Sequence, residues 1–239
     1  MPVAPQGFGI RVDRLKADLV RQGERVRILL EACFEAVFAR DPARAARAMG
    51  LDDEIDRVDV EIEKGAVQLL TDATHENAEL EPAQLRAVLT IVKINNEMER
   101  IADCGVAIAE QVADLRQMPG VIPETFQVMA NSVVGIIRDV NRSFDKSDAA
   151  LAKVVLQSED CVEAFKAAIL KDAERKIAAN GGGGSVMPVD FAFALHEIAN
   201  ECCKMADHST NIAEQVIYSV TGAIVRHTDA GWVEVPRRA

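Results

Sequence analysis

One stretch of this chain occurs twice. Residues 95–112, NNEMERIADCGVAIAEQV, fall without a gap on residues 199–216, ANECCKMADHSTNIAEQV, after a shift of 104 positions. Asn96, Glu97, Ala102, Asp103, Ile108, Ala109, Glu110, Gln111 and Val112 meet Asn200, Glu201, Ala206, Asp207, Ile212, Ala213, Glu214, Gln215 and Val216, half of the aligned positions. Long-period self-similarity restricts a chain to duplicated units, so it constrains the architecture before any single element does.

The period inside the stretch fixes its secondary structure. Ile94, Met98, Ile101, Gly105, Ile108 and Val112 alternate steps of four and three, which is one apolar seam of an α-helix. Val92, Asn96, Glu99, Asp103, Val106 and Glu110 follow the same steps and lie on nearly the opposite side. One face packs, and the other presents carboxylates.

The rest of the chain repeats as well. Leu15, Leu19, Val26, Leu29, Leu30, Cys33 and Val37 predict a long amphipathic helix over 12–39. Asp41-Pro42 supplies an N-cap and a first-turn proline for a second helix, expected to continue to about Leu70 and followed by a polar connection over 71–81. Pro82 opens the third helix, to about Met118. Shifted by 107, Leu19, Val26, Leu29, Leu30, Cys33 and Val37 meet Phe126, Val133, Ile136, Ile137, Val140 and Phe144, all apolar. The third helices match at 104, so the second copy has a connection three residues shorter, containing the flexible-linker sequence Gly181–Ser185. The expected fold is all-α, two repeated three-helix bundles. Its expected parts are an N-terminal arm (1–11), a first repeat (12–118), a second repeat (119–222) and a tail (223–239) packing through Ile224, Val225 and Trp232.

Composition narrows the function classes. A formal net charge of −11 opposes sequence-blind nucleic-acid binding and a basic membrane-surface patch, both of which need Lys and Arg. Five cysteines (Cys33, Cys104, Cys161, Cys202, Cys203) lack a framework-like spacing, no apolar leader follows the N-terminal residues, and no apolar run could span a bilayer. The expectation is a cytoplasmic protein with reduced thiols and no direct membrane insertion.

The carboxylates are paired at helical spacing. Asp52 with Asp56, and Glu99 with Asp103, each share a helix face, and together they offer hard oxygen donors suited to divalent or ferric ions. A solvated charged face with Arg57 and Arg100 as ion-pair partners is the plainer reading of one unit alone. Duplication strengthens the metal reading, because Glu159, Glu163 and Asp207 stand at equivalent positions. Cys203 stands where Glu99 does, and His196 where Val92 does. Either His196, Cys203 and Asp207 make a softer, zinc-like site, or Cys203 marks a lost ligand.

Met98-Glu99-Arg100-Ile101-Ala102-Asp103 with Ala107-Ile108-Ala109-Glu110, and the later Ala206-Asp207-His208-Ser209-Thr210-Asn211-Ile212-Ala213-Glu214, resemble the signature of the PhoU family of phosphate-uptake regulators. Asp52-x-x-x-Asp56 and Glu159-x-x-x-Glu163 resemble the family's other acidic pairs, and the similarity runs from about Val12 to His227. The resemblance implies two three-helix bundles in a cytoplasmic, often dimeric, non-enzymatic regulator that lowers phosphate uptake and phosphate-starvation signalling. It implies a phosphate-specific ABC transporter ATPase and a sensor histidine kinase as partners, and metal binding at the acidic motifs in some members; the donor types themselves suggest iron, manganese or magnesium at the first face and zinc at the second. Cys203 departs from the motif and puts the second site in question.

Two other readings remain: an accessory of a different phosphate carrier, and a metal-dependent helical-bundle enzyme. The enzyme reading is the weaker. The residues three before His75, His196, His208 and His227 are Asp72, Phe193, Met205 and Ile224, so the Glu-x-x-His pair of di-iron bundles is missing. Neither a Gly-rich phosphate loop nor a strand-turn-helix nucleophile motif is present.

Overall fold

A computed structural model describes residues 7–178, 187–228 and 231–235, so the Gly181–Ser185 run lies outside the described residues. The described helices are α1 (Phe8–Ala39), α2 (Pro42–Met49), α3 (Asp52–His75), α4 (Pro82–Glu110), α5 (Val112–Gln117), α6 (Glu124–Lys146), α7 (Ala149–Leu156), α8 (Glu159–Ala178) and α9 (Val189–Thr221). The order long, short, long, long occurs twice, with α6, α7, α8 and α9 following α1, α2, α3 and α4.

The corner between the first two long helices shows the duplication most sharply. Arg40 and Ser147 are both non-glycine residues in the left-handed region, at φ 49° and 50°. Each is followed by an aspartate N-cap: Asp41 accepts from the amides of Ala43 and Arg44, and Asp148 from those of Ala150 and Leu151. Capping of this kind contributes about 1 kcal/mol per helix.

The structure corrects several expected boundaries. The helix expected to run from Pro42 to Leu70 breaks at Gly50-Leu51, and α3 begins afresh at Asp52 with Asp53 and Glu54 in its first turn. Three carboxylates there complement the positive end of the helix dipole, which favours a new start over continuation. The third helix likewise breaks at Gln111 into α4 and the short α5, and α3 continues into the expected loop as far as His75. The expected N-terminal arm is partly helix, because α1 starts at Phe8, which is buried beside Ala66, Leu69, Ala73 and Val88.

The repeats share a core rather than standing apart. α4 packs against α9 and α1 against α6, so the central helices of the two repeats touch. The whole predicted seam of α4 is buried, Ile94, Met98, Ile101, Ile108 and Val112 included. Gly105 lets this seam approach α1: a Cβ there would lie 2.6 Å from Leu29 Cδ2 and from Leu30 Cδ2. Across the repeats, Asn141 Nδ2 of α6 donates to the Val20 carbonyl of α1 at 3.0 Å.

After Gly222 the tail forms an antiparallel hairpin, β1 (Ile224–Thr228) and β2 (Gly231–Val235), with Val225 opposite Glu234. This small ribbon lies beyond the helical repeats and leaves the fold all-α. Arg226 of β1 forms an ion pair with the buried Glu214 of α9. Val225 packs against the core as expected, whereas Ile224 is 43 % exposed. The Trp232 side chain is outside the described part of the protein.

Candidate metal-binding faces

The first face is built by α3 and α4, which pack side by side. Ile55, Val58 and Ile62 bury the inner side of α3, and Ile91, Ile94, Met98 and Ile101 bury that of α4. That packing leaves Asp52, Asp56, Glu99 and Asp103 at the outer seam between the two helices. The four influence one another. Burial, reinforced by Asp56 and Asp103, pushes the Asp52 carboxyl up to about 6. Burial and then Asp103, Asp59 and Asp56 also raise Glu99, with only Arg100 opposing. Asp52, Asp56, Glu99 and Asp103 thus share one face and act on one another electrostatically.

Two further features complete this face. Asp59 and Glu63 belong to it: burial, Glu63 and Asp56 raise the Asp59 carboxyl. Asn95, itself buried, holds Asp59 by donating from Nδ2 to its Oδ1 at 2.6 Å and to its main-chain carbonyl at 3.0 Å. Among the described residues, no ion pair within 4.0 Å reaches Asp52, Asp56, Asp59, Glu99 or Asp103, because Arg57 turns to Glu54 and Glu61 instead. Asp52 Oδ1 is buried without a hydrogen-bond partner. Among the described residues no cluster of three or more His, Cys, Asp or Glu is closed tightly enough to hold an ion as it stands. The donor set is nevertheless of the kind that a hard cation takes: all-oxygen and mutually repelling, with Arg100 acting on Glu99 but closing no ion pair within 4.0 Å.

The second face, between α8 and α9, is chemically different. Cys203 is hydrogen-bonded to Glu163, and burial, that hydrogen bond and the nearby Glu159 push its thiol up to about 12. Lys166 lies against the same group, its Nζ 3.7 Å from Glu163 Oε2. Glu159 and Glu163 thus act on Cys203 across this face, with Asp207 one turn beyond Cys203 on α9.

His196 does not join them. It is seven residues before Cys203, about 10 Å along the helix axis, while two ligands of one zinc ion stand within about 4 Å of each other. Its Nε2 faces Asn200 Nδ2 at 3.2 Å, and its Nδ1 is buried without a partner. A helical stripe records a shared face but not a shared turn, and the step of seven joins residues too far apart to share an ion.

The geometry defines an all-α protein of two homologous helical repeats, each carrying an acidic face between its last two long helices. The PhoU domain is matched twice, over residues 19–112 and 126–216. The chain belongs to the PhoU family. A Thermotoga maritima protein named phosphate-specific transport system accessory protein PhoU homolog 1 is 26 % identical over 87 % of this chain and 86 % of its own length. A Zymomonas mobilis protein named phosphate-specific transport system accessory protein PhoU homolog is 27 % identical over 87 % of this chain and 84 % of its own. The fold matches the crystal structure of the phosphate transport system regulatory protein PhoU from Streptococcus pneumoniae with a TM-score of 0.81 at 20 % identity, covering 92 % of this chain and 99 % of that one. PhoU from Pseudomonas aeruginosa gives 0.80, also at 20 % identity, over 90 % and 99 %.

Proposed function

We propose that this chain is a non-enzymatic accessory protein of a phosphate-specific transport system. It acts in the cytoplasm to lower phosphate uptake and phosphate-starvation signalling. The observation that carries this reading is the family match in both repeats, together with relatives of nearly the same length that bear the accessory-protein name. Among the described residues no helix is long and apolar enough to cross a membrane. In this reading the chain works at the membrane transporter through partners. Those partners are the transporter's ATPase and a sensor histidine kinase, and the working form is a homodimer. Exposed apolar side chains suited to such contacts recur with the repeat: Leu85 and Leu89 on α4, and Val189 and Phe193 at the same positions 104 residues later on α9.

The first acidic face holds a hard divalent or ferric ion in this reading, with Asp52, Asp56, Glu99 and Asp103 as donors. A bound ion would supply positive charge to this face and would tie α3 to α4. Asn95 keeps Asp59 oriented at the edge of the donor set, and Asp52, whose Oδ1 is buried without a hydrogen-bond partner, would be one of the residues to hold the ion.

The test is reconstitution. The purified full chain, loaded with manganese, is mixed with the ATPase subunit of the phosphate transporter and then with the kinase's cytoplasmic region. Stable complex formation with either supports the reading. Failure to bind both, or binding to the ATPase of an unrelated transporter alone, overturns it.

A further inference from the structure

Applying the repeat offset residue by residue to the two acidic faces exposes an asymmetry that neither face shows alone. Asp59 corresponds to Lys166, Glu63 to Leu170, Glu99 to Cys203, and Asn95 to Ala199. The first face therefore carries six carboxylates and an amide that orients one of them. The second carries Glu159, Glu163 and Asp207, a thiol and an ammonium. The differences are matched: the first face has Asp59 and the asparagine that hydrogen-bonds it, and the second has a lysine and an alanine, which has nothing to offer a carboxylate. The Lys166 side chain is 24 % exposed and that of Glu163 is 54 % exposed, so the stem of the lysine packs on the helix while its ammonium reaches the carboxylate at the rim of the face. It lies 3.7 Å from Glu163, and Glu163 is in turn the hydrogen-bond partner of Cys203.

We infer that the second face holds no metal ion and that the Lys166 ammonium is its resident cation, giving Glu163 the compensation that a bound ion would give the first face. A metal ion arriving there meets a positive charge in place of the carboxylate of Asp59. It also meets a thiol engaged with Glu163 in place of the carboxylate of Glu99. Three fewer carboxylates and an added like charge act against both hard ions and zinc. The two repeats have thus divided their roles: one face responds to metal, and the other is locked by a covalent part of the chain. This inference rests on the reading of the first face only for its contrast.

The experiment loads the full chain with manganese and, separately, with zinc, and measures bound metal by elemental analysis after desalting. Wild type, Glu163→Gln, Asp103→Asn and the double variant Lys166→Asp/Cys203→Glu are compared, with folding checked by circular dichroism. Glu163→Gln is expected to leave the content of either metal at the wild-type level, and the double variant to gain bound manganese and to melt higher with manganese than without it. A fall in either metal in Glu163→Gln overturns the inference, as does a folded double variant that gains no metal. Failure of the first-face reading has a different signature: a wild type that carries no manganese, or an Asp103→Asn variant that carries as much as wild type.

Discussion

His208 Nδ1 of α9 lies 2.7 Å from Glu97 Oε2 of α4, and this contact has an internal twin. Shifted by 104, Glu97 becomes Glu201 and His208 falls on Cys104, and the Cys104 thiol is hydrogen-bonded to Glu201. The two pairs run in opposite directions across the α4–α9 crossing, so the helices are antiparallel and a pseudo-twofold axis passes between them. Asn211 adds a second hydrogen bond to Glu97 at 3.3 Å. Both members of the first pair are largely buried, at 15 % and 17 % side-chain exposure. His208→Ala should therefore cost about 1–3 kcal/mol of stability. In a double-mutant cycle with Glu97→Gln the losses should be non-additive by about 0.5 kcal/mol or more. Additive losses in denaturant melts would show that the pair is not coupled.

Gly105 is a packing requirement of the seam. Any side chain there runs into Leu29 and Leu30 of α1, both fully buried. Gly105→Val should destabilise by about 1–3 kcal/mol through overpacking, read as a lower denaturation midpoint with an unchanged slope.

Asp52 gives the metal-free protein a pH dependence. Its folded carboxyl is pushed up to about 6, above the ordinary value of 3.8, so the folded state binds the proton more tightly than the unfolded state. Stability from this source is full below pH 4 and is lost as the pH rises towards 6. Asp52→Asn should raise the metal-free melting temperature at pH 7 and make little difference at pH 4. Because Asp52 is partly solvated, the gain should be about 1 kcal/mol. A variant less stable than wild type at pH 7 would contradict the repulsion described for this face.

The thiols should separate by reactivity. Cys161 is exposed, whereas Cys33, Cys104 and Cys202 are buried and burial raises each of their thiols. Mass spectrometry after brief alkylation at pH 7.5 should find Cys161 labelled first, Cys203 slowly, and the buried three only in denaturant. Fast labelling of Cys203 would mean that its hydrogen bond to Glu163 does not persist.

Much of this architecture was legible because both the duplication and the helical seam are periodic. Ile94, Met98, Ile101 and Ile108 are buried where the period puts them, and Asp41 and Asp148 cap the helices that they precede. The breaks at Gly50 and Gln111 were not legible, since nothing apolar changes step there, and Asp52, which opens the run of three carboxylates that restarts the helix, reads equally well as one half of a pair with Asp56. The shared core was also hidden, because a seam does not announce which helix it meets. At the site, the quartet of the first face came from four-residue spacing, which keeps partners within about 6 Å along the axis. His196 came from a seven-residue step, which does not. Lys166 could have been found from the sequence by carrying the repeat offset past the matching residues to Asp59, where the copies disagree.

The central claim is that this chain restrains phosphate uptake and needs its first acidic face to do so. Labelled-phosphate uptake in cells of the source organism lacking the chain, complemented with wild type or Asp103→Asn at equal expression, tests both halves. Uptake should rise on loss of the chain and be restored by wild type but not by Asp103→Asn. Uptake unchanged by loss of the chain, or full restoration by Asp103→Asn, would contradict it.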